Sequence, residues 1–239
     1  GNSREVSVYG QELNPTTWKL AKMNLAIRQI EGNLGDRNAD TFHNDLHKSL
    51  KANFILANPP FNISDWGGDK LRDDVRWKYG TPPAGNANYA WIQHMICSMS
   101  SGKGRMAVVM PQGILFRGNQ EAEIRKQLVE SDLIEAVVTL GDKLFYGTGL
   151  SPCFLIIRRM KPAHHSGRIL MIDGSKILTQ KRAQNILEEN DIDRLYSLYQ
   201  NYSDEEDYSR IVTLQEIRDK EYNLSPNRYV VYHKEEIRP

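Results

Sequence analysis

The run Phe54-Ile55-Leu56-Ala57 is stopped abruptly by Asn58-Pro59-Pro60. A short continuous apolar run bounded by turn signals reads as a strand buried in a sheet. Two successive prolines forbid its continuation, because each ring fixes φ and removes an N–H donor from the ladder. Asn53 to Ala57 is therefore expected as a buried strand that delivers Asn58 to its carboxyl end. Similar runs recur at Val6 to Tyr9, Arg105 to Met110, Ile134 to Leu140 and Cys153 to Arg158. Between them lie helical patterns. Asn14 caps one that has Pro15 in its first position and runs through Trp18, Ala21 and Leu25. Tyr89, Ile92, Met95, Ile96 and Met99 give another over 88–100, and Gln120 to Val129 a third. This alternation predicts an α/β fold, a mostly parallel sheet with helices on both faces. About a dozen residues without helical pattern separate Leu140 from Cys153, so that last pair of strands is expected to be antiparallel.

After Gly174 the pattern changes. Residues 175–220 are polar and helical in spacing, with an acidic turn at Asp204-Glu205-Glu206-Asp207 and little β-branched content. The expected organisation is a main domain over 1–174 and a helical segment over 175–239. That segment either contacts a partner or is a solvated surface. The 239 residues, 40% apolar and 26% charged, supply ordinary material for a core. A formal net charge of +1 leaves no electrostatic footprint of a stand-alone DNA binder, whose backbone affinity needs clustered Lys and Arg. Cys97 and Cys153 sit in apolar surroundings and read as small buried hydrophobes, which fits a reducing cytosol. No stretch approaches the roughly 18 apolar residues of a membrane span.

Several motifs carry little. His43 and His47 have the spacing of two ligands on one helix face, but a metal needs a third ligand and supporting partners, so a polar helix start is expected and no metal. His164-His165 follows Pro162 in a polar turn and is expected to be solvated. Gly102-Lys103-Gly104 precedes a strand, and Gly147-Thr148-Gly149 leads into another strand, so both read as turns. Trp66 and Trp91 read equally as core or as lining of a substrate pocket.

The residues after the Phe54 run can do specific chemistry. In open α/β sheets ligands gather at the carboxyl ends of strands, where Asn58 is placed. Its side-chain carbonyl and the backbone carbonyl of Pro59 are two acceptors suited to the hydrogens of a planar amino group. Such a nitrogen is a poor nucleophile because its lone pair is delocalised. Two acceptors favour a more tetrahedral nitrogen and stabilise the positive charge that develops during alkylation. Pro59 and Pro60 keep the acceptor aimed, and Phe61 offers a face on which an extruded base can stack. The bland alternative is a strand ended by a Pro-Pro turn.

Asn58-Pro59-Pro60-Phe61 resembles the catalytic loop of amino-group methyltransferases. The likeness extends to Tyr9-Gly10-Gln11-Glu12, Asn24-Leu25-Ala26, Asn38-Ala39-Asp40-Thr41-Phe42 and Ala57 to Trp66. It continues through Asn88-Tyr89-Ala90-Trp91, Gly104 to Pro111, and Tyr222 to Tyr229. Together these are similar to the modification (M) subunit of type I restriction–modification systems, and least so between 175 and 215. The resemblance implies a Rossmann-like S-adenosylmethionine-dependent methyltransferase sheet with an antiparallel final strand. It also implies a methyl group transferred to the exocyclic amino group of adenine in DNA. Asn58, Pro59, Pro60 and Phe61 would be catalytic. Glu12 would bind the ribose hydroxyls of S-adenosylmethionine, and Asp40 its adenine, with Thr41 or Phe42 lining the ring. The alternatives are a surface residue beside a helix start for Glu12, and a turn cap for Asp40. Implied partners are DNA, a specificity subunit, a second modification subunit and a restriction subunit, in the cytoplasm of a bacterium or archaeon, with no membrane.

The family's N-terminal Gly-x-Gly cofactor turn and its first strand are not found. The sheet is accordingly expected to be incomplete on its N-terminal side, and these 239 residues alone are expected to be inactive. Two rival functions keep or drop the chemistry: an amino methyltransferase acting on cytosine or on protein glutamine, and a catalytically incompetent scaffold.

Overall fold

Asn14 turns the chain into its first helix as its residue type demands. Its Oδ1 accepts from the N–H of Thr16 at 2.9 Å and of Thr17 at 3.1 Å, with Pro15 occupying the first helical position. The computed structural model describes residues 6–145, 149–182 and 184–233, in two compact units, Gly1–Leu50 and Lys51–Pro239. In the first unit, strand β1 (Val8–Tyr9), helix α1 (Pro15–Ile27) and strand β2 (Gly32–Asn33) form a parallel β-α-β unit, with Val8 opposite Gly32. Gln11 binds the following loop from both ends of its amide. Its Nε2 donates to the carbonyls of Ala39 (3.1 Å) and Asn44 (2.9 Å), and its Oε1 accepts from Leu46 N (2.9 Å). The His47 ring packs edge-on to Tyr9, and its Nε2 lies 2.9 Å from the Gly10 carbonyl, so this nitrogen donates there.

The second unit is built on β3 (Phe54–Ala57), α2 (Asn88–Ser98), β4 (Arg105–Pro111), α3 (Asn119–Glu130), β5 (Ile134–Leu140) and β6 (Pro152–Arg158). It continues with β7 (Arg168–Gly174), α4 (Glu189–Asn201), β8 (Ser209–Thr213) and α5 (Leu214–Asp219). Six strands form one sheet in the order β3-β4-β6-β5-β7-β8. β3, β4, β5 and β7 run one way, while β6 and β8 run the other. The expected antiparallel β5–β6 pair is present, with β6 inserted between β4 and β5. All seven residues of β5 are buried. Side chains alternate between two cores. Val137, Leu155 and Ile157 join Tyr89, Ile92 and Ile96 of α2 and Ile124 and Leu128 of α3. Ala136, Val138 and Leu140 face Leu198 of α4. Each buried Val, Leu or Ile among them contributes about 1.5–3 kcal/mol by leaving water.

Four expectations are corrected. Among the described residues β3 lies at the edge of the sheet, bonded to β4, and only one of its faces is buried. Ile55 and Ala57 pack on the core, whereas Phe54 and Leu56, on the opposite face, are 73% and 84% exposed. Residues 175–220 are not helical throughout: β8 pairs antiparallel with β7, and Val212 is fully buried. Its Ile211-Val212-Thr213 run is short and flanked by charge, which hid its period of two. The sheet therefore runs beyond the strand that was expected to end it. His165 is not solvated. Its ring stacks on Tyr202 (centroids 3.4 Å, interplanar angle 13°), and its Nδ1 lies 3.0 Å from Glu135 Oε1.

Gly102-Lys103-Gly104 is a turn, and a Cβ at Gly104 would stand 2.5 Å from the Ser100 carbonyl oxygen. Gly147 and Thr148 lie outside the described residues. Trp66 is core, edge-on to Trp77 with its Nε1 donating to the Pro83 carbonyl at 3.2 Å. Trp91 is half-buried against the α2 side of the sheet. Cys153 is fully buried, and burial pushes its thiol well up; Cys97 is half-buried. No helix among the described residues is long and apolar enough to cross a membrane.

Candidate functional site

The carboxyl edge of the second unit's sheet gathers three loops. The β3 ladder ends at Ala57, opposite Val108, and the next residue is Asn58, which is exposed. Pro59 is half-buried and Pro60 exposed. Phe61, half-buried, meets Phe145 of the loop after β5 edge-to-face, with centroids 6.0 Å apart and an interplanar angle of 86°. Quadrupole complementarity favours that arrangement and holds the Phe61 ring in one orientation. The four residues thus follow directly on the strand end, with Asn58 and Pro60 exposed and Pro59 and Phe61 half-buried.

Beyond Phe61 the chain is tied down. The Asn62 N–H donates to Asn88 Oδ1 at 3.0 Å, and Asn62 Oδ1 accepts from Asn88 Nδ2 (3.0 Å), Asn86 Nδ2 (3.2 Å) and Arg117 Nη1 (3.0 Å). Ala87 N donates to the Ile63 carbonyl at 3.0 Å. Arg117 follows β4 through the turn Gln112–Leu115, and its guanidinium lies over Gly113. Glu121, in the first turn of α3, lies 4.0 Å from Arg117. Burial pushes its carboxyl above the usual range against the pull of Arg117 and Arg125. Asn86, Arg117, Glu121 and Phe145 carried no signal in the linear sequence, because their partners are distant along the chain; Asn62 was visible only within the similar stretch Ala57 to Trp66. Asn88 was visible only as part of a similar stretch.

The other candidates belong to the first unit. Glu12 is half-buried three residues beyond β1. Its Oε1 accepts from Asn14 N at 2.7 Å, and its backbone carbonyl accepts from Ala39 N at 3.0 Å. That bond, with Asn38 Nδ2 donating to the Leu13 carbonyl at 2.7 Å, brings the segment leading to Asp40 alongside Glu12. Asp40 Oδ1 accepts from Phe42 N (2.7 Å) and His43 N (3.3 Å), so this carboxylate caps the turn that it opens. Thr41 is half-buried and Phe42 is buried.

Residues 1–237 match the family described as N-6 DNA Methylase. The chain is 41% identical over 238 residues to the type I restriction enzyme HindI methylase subunit of Haemophilus influenzae, covering 96% of this chain and 53% of that protein. It is 37% identical over 241 residues to the MjaIX methylase subunit of Methanocaldococcus jannaschii, covering 95% and 43%. It thus spans about half the length of the curated relatives it matches. Among solved structures, the type I restriction-modification system methyltransferase subunit from Streptococcus thermophilus superposes with a TM-score of 0.85 at 30% identity, over 93% of this chain and 48% of that one. The EcoKI M protein shares the fold, with a TM-score of 0.69 at 22% identity over 91% and 52%.

Proposed function

The chain belongs to the N-6 DNA methylase family, and from that premise we propose that it is the part of a type I modification subunit that presents adenine for methylation. The observation that carries this reading is Asn58-Pro59-Pro60-Phe61 standing at the carboxyl edge of the sheet, directly after β3. Asn58 Oδ1 and the Pro59 carbonyl accept from the two amino hydrogens of an adenine rotated out of the duplex. They withdraw the nitrogen's lone pair from conjugation and stabilise the charge that builds on it. Phe61 stacks on the base, with Phe145 fixing its tilt. Reading adenine in this way requires no net positive charge on the chain; contacts to the DNA backbone fall to other parts of the assembly.

The first unit's residues fit S-adenosylmethionine. A carboxylate just past a strand of a parallel β-α-β unit is where sugar hydroxyls are bound, and Glu12 stands there with the Asp40 turn alongside. Glu12 would take the ribose hydroxyls, and Asp40, with Thr41 and Phe42, the adenine ring. When bound, the cofactor supplies a methyl group on an electron-poor sulfonium. Partners in this reading are DNA, a specificity subunit, a second modification subunit and a restriction subunit, in the cytoplasm.

The test is transfer of labelled methyl from S-adenosylmethionine by the complete subunit with its partners. Digested DNA should release labelled N6-methyladenine, and Asn58→Ala should lower kcat by about 100-fold or more, as loss of one preorganised partner does. Label on cytosine or on protein, or an Asn58→Ala variant at full activity, would refute it.

A further inference from the structure

The loop Asn58-Pro59-Pro60-Phe61 is held at both ends. Its start is the last rung of the β3–β4 ladder, Ala57 opposite Val108. Its end is Asn62, which adopts a left-handed backbone, φ 55°, disfavoured for residues other than glycine and best tolerated by asparagine. Backbone and side chain of Asn62 both bind Asn88, which is fully buried at the first position of α2. Three donors from two separate elements converge on the one side-chain oxygen: Asn86, Asn88 and Arg117. With donors on every side, the oxygen rather than the nitrogen must face them.

A second observation points the same way. At Gly113 a Cβ would stand 2.8 Å from Arg117 Nε and 3.0 Å from its Cζ, so a side chain there would push the guanidinium from the place where it meets Asn62. Between the two anchors, Pro59 and Pro60 have fixed φ, leaving few torsions by which Asn58 could turn. A left-handed turn alone would be served by glycine. The convergence of donors explains why a side-chain acceptor stands there.

We propose that Asn62 is a positioning residue for the methyl-accepting amino group. Its side-chain carbonyl, clamped by Asn88, Asn86 and Arg117, fixes the direction in which Asn58 and Pro59 present their acceptors. This rests on reading the loop as the element that holds the amino group. Misplacing such acceptors by about 1 Å costs on the order of 100-fold in rate.

The decisive variant is Asn62→Gly, which tolerates the left-handed backbone, leaves an N–H to donate to Asn88 and removes the side-chain acceptor. Asn62→Asp is the conservative rescue, because a carboxylate accepts from the same three donors. Both are made in the complete subunit, assayed with its partners on target DNA. Amide hydrogen exchange at residues 61–63 is measured alongside.

Asn62→Gly should raise exchange at 61–63 while the protein stays folded, with a modest fall in the unfolding midpoint because the buried Asn88 amide loses its acceptor. It should lower kcat about 10- to 100-fold while KM for S-adenosylmethionine stays within about twofold. Asn62→Asp should return exchange to the original level and kcat to within about threefold. Unchanged exchange in Asn62→Gly, unchanged kcat, or equal impairment of both variants overturns the proposal. If the unmutated subunit methylates no adenine, the functional reading fails, and the exchange comparison still decides whether Asn62 holds the loop.

Discussion

Glu135 near the start of β5 offers the sharpest test of the energetics. The side chain is 1% exposed, yet it is a carboxylate with every contact satisfied. Oε1 accepts from Arg158 Nη1 at 2.9 Å and from His165 Nδ1 at 3.0 Å, and Oε2 accepts from the Tyr199 hydroxyl at 2.8 Å. Burial pushes the carboxyl up, and the bonds from His165, Arg158 and Tyr199 outweigh it, so the group lies below its usual range. His165 is held below the usual imidazole value by burial, against the pull of Glu135, and as a neutral ring it donates its Nδ1–H. In Glu135→Gln the amide keeps one acceptor. Tyr199 can rotate its hydroxyl and His165 can switch tautomer, but the Arg158 guanidinium can only donate. The amide oxygen therefore faces Arg158, and what is lost is the counter-charge of an arginine whose side chain is 19% exposed. A fully buried broken pair costs about 3–5 kcal/mol, and partial exposure of Arg158 reduces the expected loss to about 2–3 kcal/mol.

Urea unfolding followed by tryptophan fluorescence measures this loss. The sign of its pH dependence follows from the depressed value. Glu135's contribution is complete above the unfolded carboxyl value of about 4.3 and is lost as pH falls through the lower folded value. The gap between the two proteins should therefore be constant near neutrality and close in acid, where a protonated Glu resembles Gln. A loss under about 0.5 kcal/mol near pH 7, or a gap as wide at about pH 3, would refute the reasoning.

Three further outcomes are expected. Asn14→Ala removes an acceptor from two N–H groups at the start of α1 and should weaken the helix by about 1 kcal/mol, read as faster amide exchange over 15–27. Tyr89→Phe removes a buried hydroxyl that donates to the Ile114 carbonyl at 2.7 Å. Because Arg125 Nη1 also donates there, at 3.2 Å, the carbonyl stays satisfied, and the loss by chemical denaturation should be about 0.5–1.5 kcal/mol. Of the two cysteines, Cys97 should react first with a thiol reagent. Cys153, fully buried and with its thiol pushed up, should label only on unfolding; equal rates in the folded protein would contradict that burial.

Much of the organisation was legible in the linear sequence because its causes are local. Asn14-Pro15 caps and starts a helix through contacts within three residues. Short continuous apolar runs name β4, β5 and β6, and helical spacing names α2 and α3, without reference to partners. The short link after Leu140 predicts that β6 reverses. Asn58-Pro59-Pro60-Phe61 ends a strand and places two acceptors and a ring together by covalent adjacency alone. Here the sequence is nearly sufficient, since neighbours along the chain cannot be separated by folding.

What the tertiary structure decided depends on residues far apart along the chain. The apolar run at Phe54–Ala57 is the same whether one face of β3 is covered or both; that Phe54 and Leu56 stand exposed is decided by which face the core packs against. Ser209–Thr213 becomes a strand because β7 offers it a ladder. Burial of His165 is set by Glu135, 30 residues earlier, and by Tyr202. The anchoring of Asn62 depends on Asn88, 26 residues on, and on Arg117, 55 residues on. Such contacts follow from which strands pair and which helices cover them, choices settled by the burial of whole faces rather than by any local pattern. The proposed acceptor loop is thus four consecutive residues, while the bonds that hold its far end at Asn62 were assembled only by the fold.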